Sequence, residues 1–276
     1  MKRHRRYSRR EVLGLSAGAL LSLGLWPGAL RAADNGRGGI FRFLVVNDIH
    51  FLNERCAAFL ERVLRTMKAG PKLDLCLVAG DLVDDGSEAT LTQVKGILDR
   101  LGVPIWPVPG NHDFLTQTDR SGYDKVFPGR LNYSFEHNGW LFVGLDSNDG
   151  LRASNTLIQD PALNWLDSHL GKLDKQAPLV LFTHFPLGDK VTNRPRNADA
   201  VLERFKDHNL RMVFGGHYHA FTERHRGSTE LVTGRCCSIS RGNHDGSKEK
   251  GYFLCEARDG KINHTFVEVA TDIVKD

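Results

Sequence analysis

The sequence predicts an α/β protein with helices on the faces of its sheet, and two observations carry the prediction. From Phe41 onward, short apolar runs alternate with amphipathic stretches of helical length, the pattern of strands joined by helices. The apolar runs also end in polar residues able to do chemistry, as expected where ligands bind beyond the carboxyl ends of the strands.

Taken in order, Phe41–Asp48 (FRFLVVND) reads as a first strand. Glu54–Gly70 follows as a helix, with Phe59, Val63, Leu64 and Met67 at helical spacing. Leu73–Asp81 is a second strand, Ser87–Gly102 a second helix, and Val103–Asp113 a third strand running into a turn. Leu131–His137 and Trp140–Ser147 form a hairpin, leading to a helix at Pro161–Leu173. A strand at Pro178–Phe185, a helix at Ala198–His208 and a short strand at Arg211–His217 continue the series. Ser228–Gly234, Gly251–Ala257 and Lys261–Val269 read as closing strands separated by polar loops. The intervening Phe114–Asn132 is expected to cover part of a pocket. No internal repeat, coiled coil or long low-complexity tract interrupts the pattern.

With 41% hydrophobic and 25% charged residues, the chain has ordinary globular composition. Its formal net charge of +4 is unevenly placed. Seven Lys/Arg and one acid lie within residues 1–32, leaving 30 basic against 32 acidic residues in the remainder. A near-neutral remainder argues against a nucleic-acid-binding face. The N-terminus has a basic head, an apolar run from Val12 to Trp26 broken by Gly14, Gly18 and Gly24, and small residues near Ala32. This is the layout of an export signal, and a membrane span would need a longer unbroken run. Ser8–Leu13 (SRREVL) places paired arginines before the run, similar to twin-arginine signals, which engage the twin-arginine translocation machinery. The organisation expected is therefore a signal at 1–32, a linker at 33–40 and one domain at 41–276. A mature protein outside the cytoplasm follows, or a membrane-anchored one if the signal is retained. Five cysteines at no metal-like spacing make no disulfide framework, although a Cys237–Cys255 pair is conceivable.

The strand ends hold a specific set of side chains. The first ends in Asp48 and His50, the second in Asp81 and the third in Asn111 and His112. Pro178–Phe185 contains His184 near its end, and the GGHYH stretch supplies His217 and His219. Imidazole nitrogen with carboxylate or amide oxygen, and no thiolate, suits Mn²⁺, Fe²⁺/Fe³⁺ or Zn²⁺. Apart from His112, seven ligand-type residues exceed what one ion needs, and two ions bridged by a carboxylate account for the surplus.

These motifs, D-x-H (Asp48–His50), G-D (Gly80–Asp81), G-N-H-D (Gly110–Asp113), a lone His184 and G-H-x-H (Gly216–His219), resemble in order the calcineurin-like metallophosphoesterases. The resemblance runs from Phe41 to the C-terminus. It implies two packed mixed β-sheets flanked by helices, and hydrolysis of a small phosphate ester by a metal-bound hydroxide. It further implies that Asp48, His50, Asp81 and His219 hold one ion. Asp81, Asn111, His184 and His217 would hold the other, and His112 would contact the phosphate and protonate the leaving oxygen. D-x-H and G-N-H-D are closer to the bacterial cyclic-nucleotide and glycerophosphodiester phosphodiesterases than to protein phosphatases, although a phosphomonoesterase or phosphoprotein phosphatase would use the same metals. A catalytically silent member would be expected to have lost ligands, and none is missing here. Asp84 stands where purple acid phosphatases carry a tyrosine ligand, which argues against a ferric-tyrosinate site.

G-N-H-D occurs a second time at Gly242–Asp245, in a polar loop after the ligand set is complete. Asn243 and His244 are therefore expected to be non-ligands. A solvated loop is the default reading, with Arg241 or His244 touching substrate as the alternative. Arg194 and Arg196 lie beyond His184 within potential reach of a phosphate, again against a plain surface loop. His137, His169, His208, His225 and His264 are expected to be exposed. Trp106, Trp140 and Trp165 are read as core residues first, with a pocket wall as the alternative.

Overall fold

The structure, a computed structural model, describes residues 39–272. The segments read as signal (1–32) and most of the linker lie outside the described residues. Among the described residues no helix is long and apolar enough to cross a membrane.

Two sheets pack face to face with helices on their outer sides, as the family resemblance implies. The first has the order β11-β10-β1-β2-β3, from β1 (Phe41–Val46), β2 (Leu75–Ala79), β3 (Ile105–Val108), β10 (Gly251–Arg258) and β11 (Lys261–Glu268). The second has the order β4-β5-β6-β7-β9-β8, from β4 (Tyr133–His137), β5 (Trp140–Gly144), β6 (Leu179–Phe182), β7 (Leu210–Gly215), β8 (Thr222–Arg226) and β9 (Thr229–Thr233). β1, β2 and β3 run parallel, as do β5, β6, β7 and β9. Such strands are covered on both faces, which is why β2, β5 and β6 are apolar and buried at nearly every position.

Helix α1 (Glu54–Ala69) starts where the Asn53 side chain accepts from the Arg55 and Cys56 amides, and it buries Phe59, Leu60, Val63 and Met67. Ser87 caps α2 (Glu88–Asp99) in the same way. Both helices cover the outer face of the first sheet, with Val63 of α1 and Leu91 and Val94 of α2 in one cluster with Val46 and Val78. Between the sheets lie Phe43, Phe142, Phe182 and Phe214, with the Phe43 and Phe142 rings edge-on at 5.7 Å. Fully burying each such side chain contributes about 1.5–3 kcal/mol. On the far side, α4 (Asp160–His169, Pro161 in its first turn) and α5 (Ala198–Arg204) cover Leu141, Leu181 and Val213.

Several expectations are corrected. The strand Thr222–Arg226 has a mostly exposed polar sequence and pairs at an edge, so no apolar run betrays it. Within Phe114–Asn132 a short helix, α3 (Ser121–Val126), buries Tyr123 in the first sheet's outer core. Cys237 packs among that outer core while Cys255 lies between the sheets, so the two face opposite sides and all five thiols are free. Of the five histidines expected to be exposed, only His225 is. The others are half-buried, His208 on the Leu170 carbonyl at 2.9 Å and His264 against Glu230.

Candidate active site at the strand ends

The parallel strands of both sheets end at one edge, and the chain immediately after each end carries the predicted residues. Asp48, His50, Asp81, His217 and His219 all have φ between +47° and +63°. This left-handed region costs an ordinary residue roughly 1–2 kcal/mol, and such outliers persist only where neighbouring structure holds them. Here the strand pairing extends into the loops. The Asp48 amide bonds the Gly80 carbonyl at 3.0 Å, His50 the Asp81 carbonyl at 3.0 Å, and Gly216 the His184 carbonyl at 2.8 Å. Turning the backbone this way aims alternate side chains at one point. Glycine is needed beside them: a Cβ on Gly110 would run into the Asp81 carboxylate, and one on Gly80 into the His184 ring.

All seven candidate ligands converge, nearly or fully buried. Donor atoms of Asp48, His50, Asp81 and His219 lie within 4.8 Å of one another, as do those of Asp81, His184 and His217. Asp81 belongs to both groups. Its Oδ2 is 3.4 Å from His50 Nε2 and 3.4 Å from His184 Nε2, while its Oδ1 accepts the His112 amide at 2.9 Å. His219 Nε2 stands 3.2 Å from Asp48 Oδ1, and Asn111 Oδ1 3.2 Å from His184 Nε2. Ligand atoms about 2.0–2.2 Å from one ion are about 3–3.5 Å apart, so these spacings fit two cations.

The outward nitrogens complete the case. His50 Nδ1 meets Asp84 Oδ1 at 2.9 Å, His184 Nδ1 the Ala79 carbonyl at 3.1 Å, and His219 Nδ1 the Gly242 carbonyl at 3.1 Å. His217 Nε2 meets the Ala153 carbonyl at 2.7 Å. Each ring thus donates on one side and turns its other nitrogen inward, where His50 Nε2 and His219 Nε2 face each other at 3.1 Å and His217 Nδ1 and His184 Nε2 at 3.2 Å. Donating the outer N–H is how a ligating histidine is fixed in tautomer and orientation.

Without metal, protons mediate these contacts. Burial lowers His184, but the Asp81 and Asp48 carboxylates outweigh it and raise the imidazole to about 9. His219 is likewise lowered by burial and driven up by Asp48, to about 11. Burial and the charge on His184 push His217 down to about 4. Burial opposes ionisation of Asp48, yet His219 and His184 hold it at about 2.

The calcineurin-like phosphoesterase family profile matches residues 41–221. The chain belongs to the calcineurin-like phosphoesterase family. It is a metal-dependent phosphoester hydrolase, and its family uses two divalent metal ions. Similar proteins include a probable cyclic nucleotide phosphodiesterase from Fibrobacter succinogenes, 31% identical over 159 residues, covering 54% of this chain and 58% of that protein. One from Synechococcus sp. is 30% identical over 200 residues, covering 68% of this chain and 76% of that protein. In fold it resembles a purple acid phosphatase from yellow lupin, with a TM-score of 0.63, 12% identity, and coverage of 84% of this chain and 52% of that one.

In this phosphoesterase His50, Asp81, His112, His217 and His219 floor a cleft of about 330 Å³, whose walls are Ala153, Asn193, Arg241, Gly242, Asn243 and His244. The walls depart from expectation. No residue of Phe114–Asn132 lines the cleft, because Tyr123 anchors that segment in the core. Arg194 is taken by Leu187 and a two-pronged pair with Asp199, and Arg196 is exposed elsewhere, so neither reaches the cleft. The second G-N-H-D copy lies in a largely exposed loop, as expected, and three of its residues also wall the cleft. Asn243 is no ligand-type residue there: its Oδ1 accepts the Cys236 amide at 3.1 Å and its Nδ2 donates to the Glu249 carbonyl at 2.8 Å. None of Trp106, Trp140 or Trp165 lines the cleft.

Two supporting roles, those of Asn47 and Asp84, escaped the sequence reading. Buried Asn47 donates to Asp48 Oδ2 at 2.6 Å and to the Gly234 and Arg235 carbonyls, tying the first candidate ligand to a distant loop. Asp84 serves His50 Nδ1, lies 3.4 Å from His112 Nδ1, and pairs with Arg241. Burial opposes its ionisation, but the His50 and Arg241 contacts bring it to about 2. Their places beside Asp48 and just after Asp81 were the available signals.

Proposed function

We propose that this phosphoesterase is a phosphodiesterase with a dinuclear site. Asp48, His50, Asp81 and His219 hold one ion, and Asp81, Asn111, His184 and His217 hold the other. The observation that carries the reading is Asp81, which belongs to both groups and whose Oδ2 lies 3.4 Å from a histidine of each, so that it would serve both ions. When bound, such ions would supply Lewis-acid charge for phosphoryl oxygens and would lower the pKa of water. The chain's own residues do the rest. Asp81 Oδ1 accepts the His112 amide, which fixes that histidine at the rim of the floor. The His112 ring, about one third exposed and 3.4 Å from Asp84, protonates the departing alcohol oxygen. Buried walls around Asp48 and His184 exclude water from the back of the site.

The diester preference is supported by the diesterase names of the relatives and by Asp84 at the tyrosine position. The test is turnover of bis(p-nitrophenyl) phosphate against p-nitrophenyl phosphate with Mn²⁺ loaded, beside Asn111→Ala. Faster diester turnover that disappears in the variant is expected; faster monoester turnover would make it a phosphatase. The paired arginines Arg9 and Arg10 before a Gly- and Ala-containing run support export through the twin-arginine route. An Arg9→Lys, Arg10→Lys chain is expected to stay in the cytoplasm, and unchanged export would overturn this.

A further inference from the structure

The loop between β9 and β10 lies beyond the part of the chain matched by the family profile, which stops at residue 221. It is nevertheless built with care into the site. Lys250, only 7% exposed, donates Nζ to the Arg241 carbonyl at 2.7 Å and to Cys236 Sγ at 2.9 Å. Gly242 accepts from His219, the His244 amide bonds the His219 carbonyl at 3.1 Å, and Asn243 braces the loop from within. Burying an ammonium is costly unless it is well bonded, and here it fixes the backbone of Arg241 beside the candidate metal ligands.

The Arg241 side chain contrasts with its backbone. It is 40% exposed and reaches across the cleft to Asp84 through Nη2, while its other guanidinium N–H groups have no acceptor among the described residues. Arg241 is also the one Lys or Arg among the described residues lining the cleft. Asp84 places it on one side in particular. The same carboxylate oxygen lies 3.4 Å from His112 Nδ1, so the guanidinium stands next to the ring that faces the leaving oxygen.

Resting on that reading of His112, we propose that Arg241 selects the leaving group. It favours phosphodiesters whose departing alcohol carries a second anionic group, a carboxylate or a phosphate. The guanidinium presents its unused N–H groups to that anion, and its planar fork matches either one in two-pronged fashion. Asp84 holds the guanidinium ready when the cleft contains no substrate.

The test uses two aryl diesters, bis(p-nitrophenyl) phosphate and its analogue with a carboxylate on each aryl ring, on the Mn²⁺-loaded full domain. Wild type is expected to favour the carboxylated diester by roughly ten-fold in kcat/KM, as one charge-assisted contact at a half-exposed site warrants. The preference is expected to shrink as salt is raised. Arg241→Ala and Arg241→Gln are both expected to keep turnover of the plain diester and lose the preference, and Arg241→Lys to restore part of it. No preference in wild type, or a preference intact in both neutral variants, overturns the inference. Absence of turnover of either diester by metal-loaded wild type would instead overturn the phosphodiesterase reading itself.

Discussion

The chain writes Gly-Asn-His-Asp twice, and the two copies do different things. In the first, the Asn111 side chain points inward to His184 at 3.2 Å, and Asp113 folds back to accept the Gly110 and Val83 amides. In the second, the Asn243 side chain turns into its own loop, and Asp245 caps the Ser247 amide at the surface. What differs is what precedes them. Gly110 follows the end of β3, which pairs in parallel with β2, and the chain leaving β2 carries Asp81. Gly242 follows an irregular segment with no strand to aim it. A tetrapeptide thus has no role of its own; the strand that delivers it assigns one.

Substitutions made in pairs sharpen that comparison. At the glycines, Gly110→Ala drives a Cβ into the Asp81 carboxylate, whereas nothing lies within 4 Å of a Cβ at Gly242. The first is expected to abolish metal binding and turnover, and the second to leave both near wild type, as read by metal analysis of dialysed protein beside kinetics. For the asparagines, loss of a proposed direct ligand is expected to exceed the 10–100-fold typical of supporting partners. Asn111→Ala is therefore expected to cost on the order of a thousand-fold in kcat with the melting temperature little changed. Asn243→Ala reverses the pattern, destabilising by about 1–3 kcal/mol because buried amide partners go unpaired, with metal content kept. Equal kinetic losses at both positions would refute the division of roles.

Among the histidines, His112→Ala is expected to lower kcat by about a hundred-fold, within the range for a general acid. His244→Ala should change it by no more than a few-fold, since His244 meets the site only through backbone and ring packing. The smallest effect concerns protons. Metal-free His184 and His219 carry protons at neutral pH, with values raised to about 9 and about 11, and the incoming ions must displace them. Titrating Mn²⁺ into stripped protein at pH 7 is expected to release protons and to bind more tightly as the pH rises. The sign for stability follows as well. A raised histidine stabilises the metal-free fold fully below its ordinary value of 6.5, and that contribution fades as pH climbs through about 9 for His184. The melting temperature of stripped protein should therefore fall above neutral pH, by more than that of loaded protein. His244→Ala should alter neither result.

Much of this was legible beforehand because strands and chemistry share a period. Apolar runs such as Leu75–Ala79 and Leu179–Phe182 are buried on both faces and stand out in any sequence, and Asp81 and His184 come just after them. Edge and surface pieces carried no such mark. Thr222–Arg226 is polar because it borders solvent, and α3 is too short for a periodic pattern. The cleft walls were read least well. Arg194 looked as available as Arg241, but Asp199 occupies the former while Asp84 turns the latter toward the site.

By itself, then, the sequence determined the alternation of strands and helices and the seven residues at the strand ends, because burial and metal-ligand chemistry both restrict residue type locally. Only the tertiary structure decided which nitrogen of each histidine faces inward, that Asn47 and Asp84 steady the site, and that the loop of the second copy closes it. Those outcomes depend on contacts between residues far apart in the chain. Asp84 and Arg241 are separated by 157 positions, and no local pattern records a partner at that distance.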